Sequence, residues 1–153
     1  MKKFVTLLLC MLPVSLFAQV NDGIRQAMDN YDYETVVTLI ESDCQDSLLL
    51  ITKAQALKAM NRYPEAIGVL NSLILKDSTN TKVLIDLAEC YKLTGNSRRA
   101  ANCYQKAMNL QPENKFFRFQ FIRSLLASED YEEARTACHG WLERDSLSAT
   151  GYK

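Results

Sequence analysis

The sequence predicts an all-α fold, a right-handed α-solenoid of antiparallel helix pairs. Small and apolar residues recur at spacings of three and four, which places them along one stripe of an α-helix. The whole arrangement then returns after about 34 residues, the period of a two-helix repeat. The composition agrees, because the 153 residues are 48% hydrophobic and include only five glycines and three prolines, which favours helices over a β-sandwich.

The clearest repeat covers residues 81–114, where two apolar stripes flank a turn. The stripe residues are Leu84, Leu87, Ala88, Tyr91, Ala100, Tyr104 and Ala107. Between the stripes lie Thr94, Gly95 and Asn96. Gly95 tolerates the left-handed conformation that ends a helix, and Asn96 can cap the next one. Pro112 ends the second helix, since proline disfavours helical geometry in the residue before it. The segment therefore predicts two antiparallel helices.

This unit resembles the tetratricopeptide repeat, whose pattern places W-x2-L-G-x2-Y, A-x3-F and P within about 34 residues. The same step connects Ala66, Ala100 and Ala134, and no gap is needed from residue 47 to residue 148. Small residues at these positions let paired helices approach closely. Lys53 and Arg118 interrupt apolar positions, so we expect looser packing at the edges of the second and fourth repeats.

The domain plan begins with a secretory signal peptide at residues 1–18, in which two lysines precede an apolar run that ends at Ala18. An uncleaved membrane anchor and a lipid-modified Cys10 are the alternatives. The repeat domain at residues 19–148 contains a degenerate first pair (19–46) and three repeats (47–80, 81–114 and 115–148). Residues 149–153 are either the start of a further repeat or a frayed tail, and we favour a fragment of a longer array.

Within the degenerate first pair, Asn21 or Asp22 is expected to cap the first helix. Its predicted core residues are Ile24, Ala27, Met28, Tyr33, Val36, Val37 and Ile40. The fourth repeat contributes an aromatic core. Its predicted members are Phe117, Phe121, Ile122, Leu125, Tyr131, Ala134 and Trp141.

The resemblance implies that the first helices of successive repeats line a concave groove that receives a peptide or helix of a partner. The candidate groove residues are Ile51, Gln55, Ile85, Asp86, Glu89, Phe116, Phe119 and Arg123. Phe116 and Phe119 fall outside the core stripe of their helix and are candidate anchors. Alternatively, they pack against a further repeat or against each other. The carboxylate clamp of chaperone-binding tetratricopeptide domains is not expected, because Ile51, Gln55 and Asp86 supply no matching cations.

No motif indicates an enzyme, a cofactor or a metal site. His139 is the only histidine, and it does not face its neighbour Cys138 on a helix. The intervals between Cys44, Cys90, Cys103 and Cys138 match no zinc pattern. Free structural thiols are favoured over disulfides, although export leaves disulfides open. Cleavage after Ala18 would leave 16 basic and 18 acidic residues, a balance that favours neither nucleic acid nor an anionic membrane.

The sequence therefore predicts an exported scaffold, periplasmic or envelope-associated in a bacterium, that binds a protein or peptide partner. After cleavage of the signal we expect no direct membrane insertion. Self-association through an uncapped C-terminal repeat is a further expectation. The alternative function is the N-terminal helical portion of a larger envelope signalling or assembly protein.

Overall fold

The computed structural model describes residues 19–40 and 44–150, with side chains of the last helix described as far as residue 143. This part of the chain contains eight helices and no strand, which confirms the predicted all-α class. Helix α1 covers residues 19–29. The others are α2 Tyr33–Leu39, α3 Ser47–Ala59, α4 Tyr63–Lys76, α5 Thr81–Leu93, α6 Ser97–Leu110, α7 Lys115–Ala127 and α8 Tyr131–Thr150. The predicted signal peptide, residues 1–18, lies outside the described residues, as do residues 151–153.

The chain divides into two compact units, Met1–Arg62 and Tyr63–Lys153. The described core of the first unit brings together α1, α2 and α3. Its buried members are Ile24, Ala27, Val36, Ile40 and Ala56. Lys53 interrupts the apolar pattern of α3, but its ammonium donates a 2.7 Å hydrogen bond to the carbonyl of Ile40, the C-cap of α2. The interruption thus satisfies one of the carbonyls that a helix end leaves unpaired.

In the second unit, each helix from α4 to α8 packs on the next one along the chain. The predicted stripes of the third repeat form its core. These residues are all buried: Leu84, Leu87, Ala88, Tyr91, Ala100, Tyr104 and Ala107. Ala66, Ala100 and Ala134 are 0%, 0% and 2% exposed, which confirms that the recurring small residues are buried.

The same left-handed turn ends the first helix of three successive pairs. Asn61, Gly95 and Glu129 occupy equivalent positions of these repeats and have φ values of 60°, 77° and 64°. In each case the next amide bonds back to a carbonyl five positions earlier, as Asp130 N does to Leu125 O at 2.9 Å. This is the hydrogen bond of a Schellman motif. Tyr31 adopts the same conformation, with φ 58°, after α1.

A side-chain N-cap also recurs at the start of the first helix of these pairs. The side chains of Asp46, Asn80 and Asn114, which are also equivalent in successive repeats, accept hydrogen bonds from the backbone amides at the starts of α3, α5 and α7. These bonds satisfy amides that the helix itself leaves unpaired. The turns and caps together fix where each of these helices starts and stops.

Two predicted caps are wrong. Asn21 and Asp22 lie inside α1, because the chain is already helical at residue 19. Asn96 is the N-cap residue of α6, but its side chain makes no capping bond. Its amide instead donates to the carbonyl and hydroxyl of Thr94, at 3.3 and 3.2 Å, so it stabilises the preceding turn.

One predicted core residue of the fourth repeat is wrong. Tyr131 is not a core residue: it is 61% exposed at the first position of α8, and no described element covers it. Helix α8 runs without interruption from Tyr131 to Thr150, and the division into repeats that ends at residue 148 stays a prediction. After α4, the amide and hydroxyl of Thr79 bond to Asp77 and turn the chain, at 2.9 and 2.7 Å. The residue equivalent to Thr79 is Leu147, which has no hydroxyl to make the second bond.

Candidate functional site

The candidate site consists of the predicted faces of α5 and α7. The side chains of Ile85 and Asp86 are half-buried and Glu89 is exposed on α5, while Arg123 is exposed on α7. The ammonium of Lys92, one turn beyond Glu89, lies 3.4 Å from the amide oxygen of Gln120 on α7. This contact links the two helices through side chains near the predicted faces. We call the surface made by Ile85, Asp86, Glu89, Phe116, Phe119 and Arg123 the α5–α7 face.

Four phenylalanines of α7 divide between the core and this face. Phe117 and Phe121 are 3% and 5% exposed, whereas Phe116 and Phe119 are 49% and 51% exposed. The ring of Phe116 meets the ring of Phe117 edge-on, with centroids 5.8 Å apart. In addition, the Phe116 amide donates to the side chain of Asn114 at 3.1 Å. The exposed ring is therefore held against the core before any partner is present.

The remaining candidates, Ile51 and Gln55, lie on α3 in the first compact unit, and both are half-buried. The structure thus brings together six of the eight candidates on neighbouring helices of the second unit. Binding at any of the eight remains a prediction.

The basic pair Arg98-Arg99 has structural partners. The guanidinium of Arg98, on α6, forms ion pairs with Asp130 at 3.1 Å and with Glu133 on α8. Its hydrogen bond to Glu133 raises the pKa of Arg98. The guanidinium of Arg99 lies 5.7 Å from the centre of the Tyr91 ring, a cation–π contact. These contacts connect α6 to α8 and to α5.

Two of the four described cysteines, Cys90 and Cys103, are core residues, and Cys44 and Cys138 are half-buried. Cys44, Cys90, Cys103 and Cys138 form no disulfide with one another. Burial raises the pKa of Cys103 to about 11, so its reactive thiolate is scarce at neutral pH. Among the described residues, no group of three or more acidic, histidine or cysteine side chains could hold a metal ion. No helix in this part of the chain is long and apolar enough to cross a membrane.

Comparison with known proteins agrees with the repeat geometry. The family described as Psidin, N-terminal TPR repeats region, matches residues 26–140, most of the chain. The chain belongs to this tetratricopeptide repeat family. Folds of this kind are typical of protein–protein interaction scaffolds.

Relatives of this tetratricopeptide repeat chain confirm the fold at low sequence identity. It is 37% identical over 73 residues to the tetratricopeptide repeat protein 30 homolog of Aedes aegypti, a match that covers 48% of the chain and 11% of that protein. The crystal structure of the MamA protein is similar with a TM-score of 0.67 and 16% identity, covering 85% of this chain and 73% of that one. A structure of the UNC-45 chaperone, described by its features critical for binding and folding muscle myosin, matches with a TM-score of 0.59 and 18% identity. That match covers 78% of this chain and 14% of the chaperone chain.

Proposed function

We propose that the protein is an exported interaction scaffold that binds a peptide or helix of a partner protein along the α5–α7 face. The observation that supports this most strongly is the exposure of about half of Phe116 and of Phe119 beside two buried phenylalanines of the same helix. Large apolar side chains that a fold holds in place without covering them are typical of binding anchors.

The hydrophobic free energy that these two rings can contribute favours an apolar partner segment. Covering the exposed half of a phenylalanine removes roughly 100 Å² from water, which contributes about 2 kcal/mol per ring. The orientation of Phe116 against Phe117 lowers the entropy lost on binding, because the ring has fewer positions to give up. Two such anchors suit a short amphipathic segment that presents apolar side chains at helical spacing.

The charges beside the anchors have both signs. Asp86 and Glu89 on α5 supply carboxylates, and Arg123 on α7 supplies a guanidinium. We therefore expect charges to set the orientation of the bound segment, and the rings to contribute most of the affinity. The affinity should consequently depend only weakly on salt concentration.

Peptide selection followed by calorimetry tests the binding proposal. Peptides selected from a random library against the full chain should lose at least about 10-fold in affinity with Phe116→Ser or Phe119→Ser, given the loss of about 2 kcal/mol per ring. Leu75→Ser is the matched control, because Leu75 is 89% exposed on α4, outside this face. If the selected peptides bind both phenylalanine variants as tightly as the unchanged protein, the α5–α7 face is not the binding site.

Export is tested separately. Residues 1–18 fused to a reporter enzyme that is active only outside the cytoplasm should give activity, and changing Lys2 and Lys3 to glutamate should remove it. Sequencing the N-terminus of the mature protein should show cleavage after Ala18. A reporter that stays inactive would refute export and leave the groove proposal intact.

The alternative function is the N-terminal helical portion of a larger envelope protein, which would bind its partner at the same α5–α7 face. The coding sequence after Lys153 distinguishes it from a free-standing scaffold.

A further inference from the structure

A cavity of about 220 Å³ lies between α6, α7 and α8 in the second unit. None of its lining residues belongs to the α5–α7 face. It is lined by Met108, Arg118, Phe121, Ala137, Gly140 and Trp141. A dry cavity of about 150 Å³ is enough to hold benzene. The space between these helices therefore suits one aromatic ring with a small substituent.

The cavity arises where the fourth repeat departs from its neighbours. Arg118 stands where the earlier repeats have Leu50 and Leu84, which are 7% and 1% exposed. Gly140 adds further room, since a Cβ atom built there would meet nothing within 4 Å. The sequence pattern identifies Arg118 as a loose point of the repeat, and the structure places an open volume beside it.

Two of the lining residues, Arg118 and Trp141, carry hydrogen-bond donors. Trp141 Nε1 is buried and has no hydrogen-bond partner among the described residues. The guanidinium of Arg118 donates through one nitrogen to the carbonyl of Pro112, which leaves most of its five N–H groups for another acceptor. Trp141 Nε1 is closed to solvent, so the donors that a ligand in the cavity can reach are those of Arg118.

We propose that this cavity binds a small carboxylic acid with an apolar aromatic or branched body. The carboxylate accepts from Arg118, and the body occupies the space against Phe121, Met108 and the ring of Trp141. Arg118 selects the anion, because a guanidinium pairs with a carboxylate through charge-assisted hydrogen bonds. Arg118 and Trp141 are both half-buried, so the lining extends to the protein surface and a ligand can enter. The proposal does not depend on partner binding at the α5–α7 face.

The tryptophan provides the assay, because Trp141 is the only one in the chain. Phenylacetate added to the full protein should change Trp141 fluorescence saturably and shift the single indole N–H resonance. Phenylacetamide, its neutral counterpart, should bind at least about 10-fold more weakly, the range expected for one charged hydrogen bond. Arg118→Leu should remove this preference for the acid.

Filling the cavity supplies the control. Gly140→Leu should abolish the response, whereas Gly68→Leu should leave it unchanged, since Gly68 on α4 also has room for a Cβ atom and lies outside the cavity. Circular dichroism checks that each variant is folded, and Ala137→Leu is a second filling variant if the first is not. The proposal would be overturned if the indole resonance of the unchanged protein did not move at phenylacetate concentrations up to about 10 mM, which is weaker than ordinary affinities. An equal response in the filled variants would overturn it too.

Discussion

Replacing Glu129 by glycine should stabilise the protein, although it removes a side chain and adds none. Glu129 has φ 64° in the turn between α7 and α8, where the equivalent residue one repeat earlier is Gly95 with φ 77°. The left-handed conformation costs a residue with a Cβ atom about 1–2 kcal/mol. Glycine avoids that cost but loses about 0.5–1 kcal/mol more conformational entropy on folding. The net expectation is a gain of about 0.5–1 kcal/mol.

The reverse change tests the same reasoning. Gly95→Ala should destabilise the protein by about 1 kcal/mol. No atom lies within 4 Å of the Cβ that the alanine would add, so the cost comes from the backbone and not from a clash. Urea unfolding followed by far-ultraviolet circular dichroism measures both changes as shifts of the midpoint at constant slope.

A control separates the turn from charge. Glu129 adjoins Asp130, Glu132 and Glu133, so removing its carboxylate also relieves repulsion. Glu129→Ala removes the same charge but keeps a Cβ atom in the left-handed turn. The glycine variant should therefore be more stable than the alanine variant by about 1 kcal/mol. If the two variants unfold at the same urea concentration, the left-handed conformation at residue 129 does not cost a residue with a Cβ atom any stability.

The remaining predictions concern caps, helix contacts, acid stability and thiols. Asn80→Ala should cost about 1 kcal/mol in urea unfolding because it removes the bond to Val83 N, and Asn102→Ala, at an exposed site, is the control. Ala100→Leu should cost about 1–3 kcal/mol by overpacking a fully buried position, unlike Lys106→Leu on the exposed side of α6. Hydrogen bonding from Ser128, aided by Arg98, lowers the pKa of Asp130. The ionised carboxylate therefore stabilises the fold at neutral pH, and this stabilisation is lost as the pH falls from the ordinary aspartate pKa through the lowered one. Asp130→Asn should therefore weaken the pH dependence of thermal unfolding in acid. In the native protein Cys103, with its pKa raised to about 11, should be alkylated far more slowly at pH 8 than the half-buried Cys44, as peptide mass spectrometry would show. Equal rates at the two cysteines would contradict the burial argument.

The repeat could be predicted from the sequence because its determinants are residue types at a fixed spacing. The small side chains of Ala66, Ala100 and Ala134 let paired helices approach closely, and all three residues are buried. The face of α7 could be predicted for a similar reason. Helical spacing separates Phe116 and Phe119 from Phe117 and Phe121, and the measured exposures follow that separation.

The turns and the end of the fourth repeat were harder to predict, since context decides them. Tyr31 and Glu129 carry no sequence signal for a left-handed conformation, and the neighbouring helices impose it. The side chain of Asn96 had two sets of backbone partners within reach, and it bonds to Thr94 rather than to the start of α6. Tyr131 resembles a core residue in the pattern, but at the first position of α8 it is 61% exposed.

The most direct test of the functional account is to map a bound peptide by nuclear magnetic resonance on the full, isotopically labelled protein. The account predicts that amide shifts on binding concentrate at Ile85, Glu89, Phe116, Phe119 and Arg123, on the two helices joined by the Lys92–Gln120 contact. Shifts confined to the face of α6 and α8 around Arg98 and Glu133, with the α5–α7 face unchanged, would contradict it.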